Sequence, residues 1–240
     1  MTVYLQISVG CQQDYKKKLS QYELGVNYFN TKRNQFGLNN KIINELTTEE
    51  QEFVIENYNN EHNNCNIILQ KPESLVKGTF KFKLFENECP KTCLNFKSLA
   101  TGESGVGKVS KKPLHYLNVP IHRIVKNFIA QGGDITRMDG SGGDSIYNGK
   151  FNDEKQGLKI KFKKGSIGMA NKSKNSNTSQ FFVVLTDEDA ELKKLNGKYV
   201  CFGEVTNEEG LNLLDFLNTL GTDDGDVLNQ QIIISDCGLI

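Results

Sequence analysis

Residues 2–9 alternate Val3, Leu5, Ile7 and Val9 against Tyr4, Gln6 and Ser8. A period of two puts one set of side chains on a single face, so the pattern predicts a half-buried strand. The next strand with an equally clear period comes only at Lys77–Phe85, where Phe80, Phe82 and Leu84 alternate with Thr79, Lys81 and Lys83. Between the two lies Cys11 to Val76, rich in Asn and Lys. Asp14–Tyr28 carries Tyr15, Leu19, Tyr22 and Val26 at helical spacing. Thr47-Thr48-Glu49-Glu50 reads as a capping box that opens a second helix bearing Phe53, Val54 and Tyr58. The rest of the segment is too polar to bury a core of its own.

Further on, Pro90 suits the first turn of a helix, Cys89, Cys93, Phe96 and Ala100 share its face, and Gly102 stops it. Leu158, Ile160 and Phe162 alternate with Lys159, Lys161 and Lys163, predicting a strand with a basic, solvated outer face. A second strand is predicted at Tyr199–Val205. Leu213, Leu217 and Leu220 mark a helix ended by Gly221, and Gln231–Ser235 forms a last strand. Strands predominate, and the two helices that flank them lie far apart in sequence. That arrangement fits a barrel plugged at its ends.

Composition narrows the field. The chain has 240 residues, and its 29 Lys and Arg balance 29 Asp and Glu, so no global field favours nucleic acid or an anionic membrane. The lysines of 159–163 have no aromatic platforms beside them for bases to stack on. No apolar run approaches the roughly 20 residues that span a bilayer. The start lacks the basic region of a signal peptide, so a cytoplasmic or nuclear protein is expected. Six cysteines (Cys11, Cys65, Cys89, Cys93, Cys201 and Cys237) make no disulfide framework for this length. Cys89 and Cys93 lack a second Cys/His pair at zinc spacing and read as reduced packing thiols. His62, His115 and His122 are too scattered for a metal centre, and His115 reads as a hydrogen-bonded loop residue.

The candidate chemistry sits in two stretches. Ile121 to Asp134 brings an arginine, an aromatic ring and a carboxamide within nine residues: Arg123, Phe128 and Gln131. In an extended segment Arg123 and Val125 share a face, and a turn at Lys126-Asn127 can bring Phe128 and Gln131 back towards them. The apolar members could equally be plain core, with His122 and Arg123 at the rim. The second stretch, Met169-Ala170-Asn171 and then Ser179-Gln180-Phe181-Phe182, repeats the pairing of amide side chains with aromatics. Neither offers a nucleophile with its base. Gly140-Ser141-Gly142-Gly143 lacks the lysine of a P-loop and the helix of a dinucleotide fold.

His122-Arg123, Phe128 to Asp134, Gly140 to Gly143, Met169-Ala170-Asn171 and Ser179 to Phe182 resemble, in order and spacing, the motifs of the cyclophilins. The resemblance covers Lys77 to the C-terminus, about two-thirds of the chain, and Thr2–Val9 resembles the family's first strand. It implies a mainly β fold, a closed eight-stranded antiparallel barrel capped by two helices. Residues 1–240 would form one such domain, with 11–76 as a partly helical insertion between the first and second strands and its helices packed on the barrel. An alternative makes residues 66–70 the first strand and 1–64 a separate extension; the fuller match of 2–9 favours the insertion.

The resemblance also implies peptidyl-prolyl cis–trans isomerisation without a cofactor. Arg123 would be the catalytic donor, supported by Gln131, with Phe128 and a neutral His122 lining the groove. Phe128, Ile129, Phe182 and Leu195 would make the proline pocket, and Ala170, Asn171, Gln180 and Tyr199 would complete the substrate site. Proline-containing peptides and proteins are the implied partners of a monomer; neither nucleic acid nor membrane is. This chain departs from the family in four places. It has no tryptophan on the loop before Leu195, so cyclosporin is expected to bind with reduced affinity; that loop, Thr186 to Lys194, is longer and charged; Tyr199 stands where a histidine is common; and Lys172 stands where a small residue usually borders the second pocket. A different function class, a proline-peptide binding module in a larger complex, uses the same groove without turnover.

Overall fold

The computed structural model describes residues 2–62, 66–225 and 230–240. The chain divides into two compact units, one of Met1–Val9 with Val76–Ile240 and one of Gly10–Leu75. Cys65 lies outside the described residues.

The larger unit is an eight-stranded antiparallel sheet. Its strands are β1 (Thr2–Val9), β2 (Val76–Leu84), β3 (Ile121–Val125), β4 (Ile129–Gly132), β5 (Ser166–Met169), β6 (Phe181–Val184), β7 (Cys201–Val205) and β8 (Ile232–Leu239), in the spatial order β3-β4-β6-β5-β7-β2-β1-β8. A bridge between Pro120 and Ile233 joins the two outer strands. Asn118 N–H donates to Ile234 at 2.7 Å and Ile234 N–H to Val119 at 3.0 Å, which brings the sheet close to a full barrel. Closure matters because it removes the unpaired edges that a sheet of this width would otherwise expose.

The period-two patterns explain the core. Val3, Leu5 and Ile7 of β1 are fully buried, as are Phe80 and Phe82 of β2, while Lys81 between the latter is half-buried and Lys83 beyond them exposed. β1 pairs with β2 from Thr2↔Lys83 to Ser8↔Val76 and with β8 on its other side, so it is an interior strand. Residues 66–70, the alternative first strand, form none; Ile67 and Leu69 are buried in the Gly10–Leu75 unit.

Two helices close the core. In chain order the α-helices are α1 (Gln12–Lys32), α2 (Thr48–Glu61), α3 (Pro90–Thr101), α4 (Asp189–Leu195) and α5 (Glu208–Leu220). α3 starts on Pro90 and ends at Gly102 in the left-handed region, φ 71°, where a side chain would be strained. It buries Cys93, Phe96, Leu99 and Ala100, and α5 buries Leu213, Leu214 and Leu217. Phe96 is central: the rings of Phe82, Tyr116, Phe181 and Phe202 lie 5.2–5.9 Å from its own. The thiols of Cys89, Cys93 and Cys201 are buried and unbridged, and burial pushes the pKa values of Cys93 and Cys201 up to about 12 and that of Cys89 well above the ordinary thiol range.

The Gly10–Leu75 unit holds α1 and α2. Thr47 caps α2 as expected, its hydroxyl accepting from Glu50 N–H while the Glu50 carboxylate accepts from Thr47 N–H at 2.9 Å. Contrary to the expectation from polarity, this unit has a core of its own. Tyr28, Phe29, Leu46, Val54, Tyr58, Ile67 and Leu69 are buried together. Edge-on packing of Tyr28 on Tyr58, 4.9 Å apart, gives that small cluster aromatic area beyond what its few aliphatics supply.

Two further expectations fail. Residues 158–162 form no strand: Gly157–Lys159 is a 3₁₀ turn, and Phe162 N–H donates to the side chain of Asn196 at 2.9 Å instead of to a neighbouring strand. The stretch Thr186 to Lys194 is not simply a loop, since α4 occupies most of it.

Candidate active site

The site begins with a bulged hairpin. β3 and β4 pair Ile121↔Gly132 and then Arg123↔Gln131, which leaves His122 as the unopposed residue of a bulge. Ile121 and Ile124 consequently both reach the core, and Arg123 is turned to the outer face opposite Gln131. Asn127 adopts φ 56° in the turn, a conformation that asparagine tolerates better than most residues. Its N–H donates to Asn218 Oδ1 at 2.7 Å, and Asn218 Nδ2 donates back to Asn127 Oδ1 at 2.8 Å, so α5 fixes the turn that carries Phe128.

Arg123 and Gln131 open onto a cavity of about 270 Å³. Its apolar walls are Phe128, Ile129, Phe182, Leu195 and Ala170, with Asn171 and Tyr199 at the edge. Phe182 stands on β6 beside Gln131 and is braced edge-on by Tyr199 at 5.5 Å and by the tilted ring of Phe162 at 5.5 Å. A cation and a carboxamide thus face an apolar slot sized for a small ring. Lys194 completes the wall. Its ammonium lies 5.6 Å from the centre of the Phe128 ring and 2.6 Å from Glu191.

A chain of amides sets the other end. Gln131 Nε2 donates to Gln180 Oε1 at 2.9 Å, and Gln180 Nε2 donates to the carbonyls of Gly140 at 2.9 Å and Gly142 at 2.7 Å. The loop bearing those carbonyls is organised by Asp134, which is wholly buried. Its carboxylate accepts from the N–H groups of Thr136, Arg137, Gly140 and Gly142 and from the Thr136 hydroxyl. Burial opposes the charge, but the N–H groups of Arg137, Gly142 and Thr136 outweigh it and hold the carboxyl at about 2. Gln180 therefore lines not the first cavity but an adjoining one of about 590 Å³, which shares Gln131, Ala170 and Asn171 with it. Asn171 Nδ2 donates to Asn177 Oδ1 at 3.0 Å and points at Asp153, which steadies the strip between the two cavities.

Residues 67–239 match the family described as cyclophilin type peptidyl-prolyl cis-trans isomerase/CLD. The chain is 45% identical over 167 residues to peptidyl-prolyl cis-trans isomerase 9 of Caenorhabditis elegans, covering 69% of this chain and 51% of that protein. It is 41% identical over 161 residues to peptidyl-prolyl cis-trans isomerase cyp11 of Rhizopus delemar, covering 67% and 46%. It is 49% identical over 146 residues to peptidyl-prolyl cis-trans isomerase 9 of Caenorhabditis briggsae, covering 61% and 44%. This chain belongs to the cyclophilin family. It spans about half the length of the curated relatives it matches.

Within this cyclophilin, nine of the eleven expected site residues border the first cavity: Arg123, Phe128, Ile129 and Gln131 from the hairpin, then Ala170, Asn171, Phe182, Leu195 and Tyr199. Gln180 borders the second, and His122 borders neither. The bulge accounts for its placement. His122 is packed under Gly140, where a Cβ would come within 2.6 Å of Nε2, and both ring nitrogens are buried without a partner. Burial lowers its pKa, and the Arg123 charge acts in the same direction against Asp134 and Asp139, so the ring is neutral at pH 7. It is a spacer between β3 and the glycine loop. His115, by contrast, does find a partner, with Nε2 3.5 Å from Cys237 Sγ.

Sequence reading passed over Lys194 and Asp134 as site residues. The signal for Asp134 was its place just before a Gly-rich loop, where a carboxylate collects backbone N–H groups. Lys194 carried the weaker signal of standing directly before Leu195. Among the described residues no group of three His, Cys, Asp or Glu is placed to hold a metal, and no helix is long and apolar enough to cross a membrane.

Proposed function

We propose that this protein catalyses rotation about X-Pro peptide bonds in peptide and protein substrates. The observation that carries the reading is the sharing of one 270 Å³ cavity by Arg123 and the apolar slot of Phe128, Ile129, Phe182 and Leu195. The barrier to rotation, about 18–20 kcal/mol, comes from amide resonance. Whatever localises the prolyl nitrogen lone pair weakens the partial double bond. The slot holds the pyrrolidine ring, and Arg123 donates towards the prolyl nitrogen as its lone pair pyramidalises. The carbonyl on the other side of the bond swings while Asn171 and Gln131 hold the neighbouring backbone. A preorganised donor aimed at charge that grows only in the transition state contributes about 3–4 kcal/mol.

One chain supplies Arg123 and the whole apolar slot, so a monomer is sufficient for this reading. Buried free thiols at Cys89, Cys93 and Cys201 fit a reducing compartment, the cytoplasm or the nucleus. Cyclosporin would enter the same cavity with reduced affinity. A protease-coupled isomerisation assay on an X-Pro peptide tests the central statement. A rate above the uncatalysed one that rises in proportion to enzyme supports it, and no acceleration at micromolar protein overturns it in favour of a binding module.

A further inference from the structure

The two cavities share Gln131, Ala170 and Asn171, so an extended peptide whose proline fills the first lays a neighbouring side chain into the second. Backbone advances only about 3.3–3.6 Å per residue, which places that side chain within a few residues of the proline. The charges along this path are one-sided. Arg123 and Lys194 line the first cavity and Lys150 and Lys172 the second, and among the described residues no Asp or Glu lines either. The chain as a whole is balanced at 29 against 29, so this is a local field.

The nearby carboxylates Asp153 and Asp139 lie outside the lining of both cavities. Asp153 accepts from Asn177 Nδ2 at 2.8 Å and Asn175 N–H at 2.8 Å, and Asp139 from Ser141 N–H at 2.8 Å, bonds that orient the two carboxylates but leave their charge in place. Glu191 offsets Lys194. Among the described residues Arg123, Lys150 and Lys172 have no ion-pair partner. Lys172 is held over the second cavity by the Ser141 carbonyl at 3.0 Å, an arrangement that fixes the ammonium without neutralising it. Cations in a cleft with low-dielectric walls act more strongly than the same cations on an open surface.

We propose that the groove selects prolyl substrates with an anionic side chain, carboxylate or phosphate, flanking the X-Pro bond, and that Lys172 and Lys150 receive it. This rests on the prolyl-groove reading above. The test uses the whole chain and X-Pro peptides differing at one flanking residue, Glu, phosphoserine, Gln or Lys, placed before the bond in one series and after it in another. Isomerisation is followed by NMR exchange at low salt and at about 0.5 M salt. In one of the series kcat/KM for Glu should exceed that for Lys by about fivefold at low salt, the scale of one or two exposed ion pairs. The gap should narrow at high salt. In the Lys150→Gln, Lys172→Gln double variant the ratio should approach one, and Lys172→Glu should reverse it. Both positions are exposed, and a thermal melt of each variant shows whether it is folded.

A ratio near one in both series, or a preference that survives in the folded double variant, overturns the proposal. Phosphoserine well above Glu assigns the site to phosphate, and parity assigns it to carboxylates. If no peptide is turned over, the isomerase reading fails instead. Chemical-shift titration with the same peptides then still measures the charge preference.

Discussion

The carboxamide of Gln131 donates to that of Gln180 at 2.9 Å, and through it the Arg123 face of the groove is tied to the carbonyls of Gly140 and Gly142. Gln180 is almost fully buried, so each of those bonds is made away from water. The two glutamines convert the order imposed by Asp134 on the glycine loop into a fixed orientation for Gln131, directly opposite Arg123 in the sheet.

Replacing Gln180 with Leu keeps the bulk and removes all three bonds. Two carbonyls and one amide donor then lose their partner, at about 1–3 kcal/mol for the buried groups. The free energy of unfolding should fall by that amount. The freed Gln131 should lower kcat/KM by about 10- to 100-fold, the range for a misplaced positioning group. An unchanged kcat/KM in a destabilised variant would reduce Gln180 to a packing residue.

Arg123→Ala should lower kcat/KM by about 10²–10³-fold with little loss of stability, because it removes one transition-state donor from the wall of an open cavity. Arg123→Lys should recover only part of the rate, since a point charge lacks the planar fork of the guanidinium. Single-turnover NMR exchange on both variants decides it. Normal turnover by the alanine variant would remove Arg123 from the chemistry.

Most of this architecture was legible in the sequence, for a reason visible in β1 and β2. There the period of two sits on strands with one face in the core, and Val3, Leu5, Ile7, Phe80 and Phe82 are all buried as their spacing requires. The same period misled at Leu158, Ile160 and Phe162, because alternation reports a half-buried segment and not the presence of a partner edge. The backbone N–H of Phe162 goes to Asn196. The setting of His122 was hidden for another reason. It is adjacent to Arg123 in sequence, but a one-residue bulge separates their environments, and register slips of this kind leave no pattern in composition. The core of the Gly10–Leu75 unit escaped notice because it gathers seven buried side chains from segments spread over more than forty residues. No window of the sequence is apolar enough to show it.

Asp134 gives a pH signature. Its carboxyl titrates at about 2 in the folded protein against an ordinary value of 3.8, so the unfolded state binds the proton first as pH falls. The stabilisation is therefore complete above about pH 4 to 5 and lost as pH drops through about 2, and the shift is worth about 2 kcal/mol. Urea midpoints of the native protein and of Asp134→Asn should differ most near neutral pH and converge towards pH 2. A gap that stays constant from pH 7 to 2 would show that the carboxylate charge is not what orders the glycine loop.

Cyclosporin should bind more weakly than to cyclophilins with a tryptophan before the leucine of this pocket. Lys194 stands directly before Leu195, with its ammonium over the Phe128 ring and paired to Glu191, where a flat indole would offer apolar area and one N–H donor. Lys194→Trp should raise the affinity. Calorimetry giving nanomolar binding to the native protein, unchanged in the variant, would show that another residue supplies that surface.

The last prediction concerns Gly10–Leu75. β1 ends at Val9 and β2 begins at Val76, with Ser8 and Val76 paired across the two strands. Antiparallel neighbours lie about 4.7–4.9 Å apart, a gap that a short turn can close. Loop closure costs only about 0.6 kcal/mol per doubling of length, so neither a long nor a short connection decides barrel stability. Replacing residues 11–75 with a Gly-containing turn should leave a folded barrel with unchanged kcat/KM towards a short prolyl peptide. Deleting residues 1–64 should behave differently, because β1 lies between β2 and β8 and its removal opens two edges at once. Size-exclusion chromatography should then show aggregates. A monomeric, active product of the outright deletion would mean that residues 66–70 can take the place of β1, and that the N-terminal strand is dispensable to the fold.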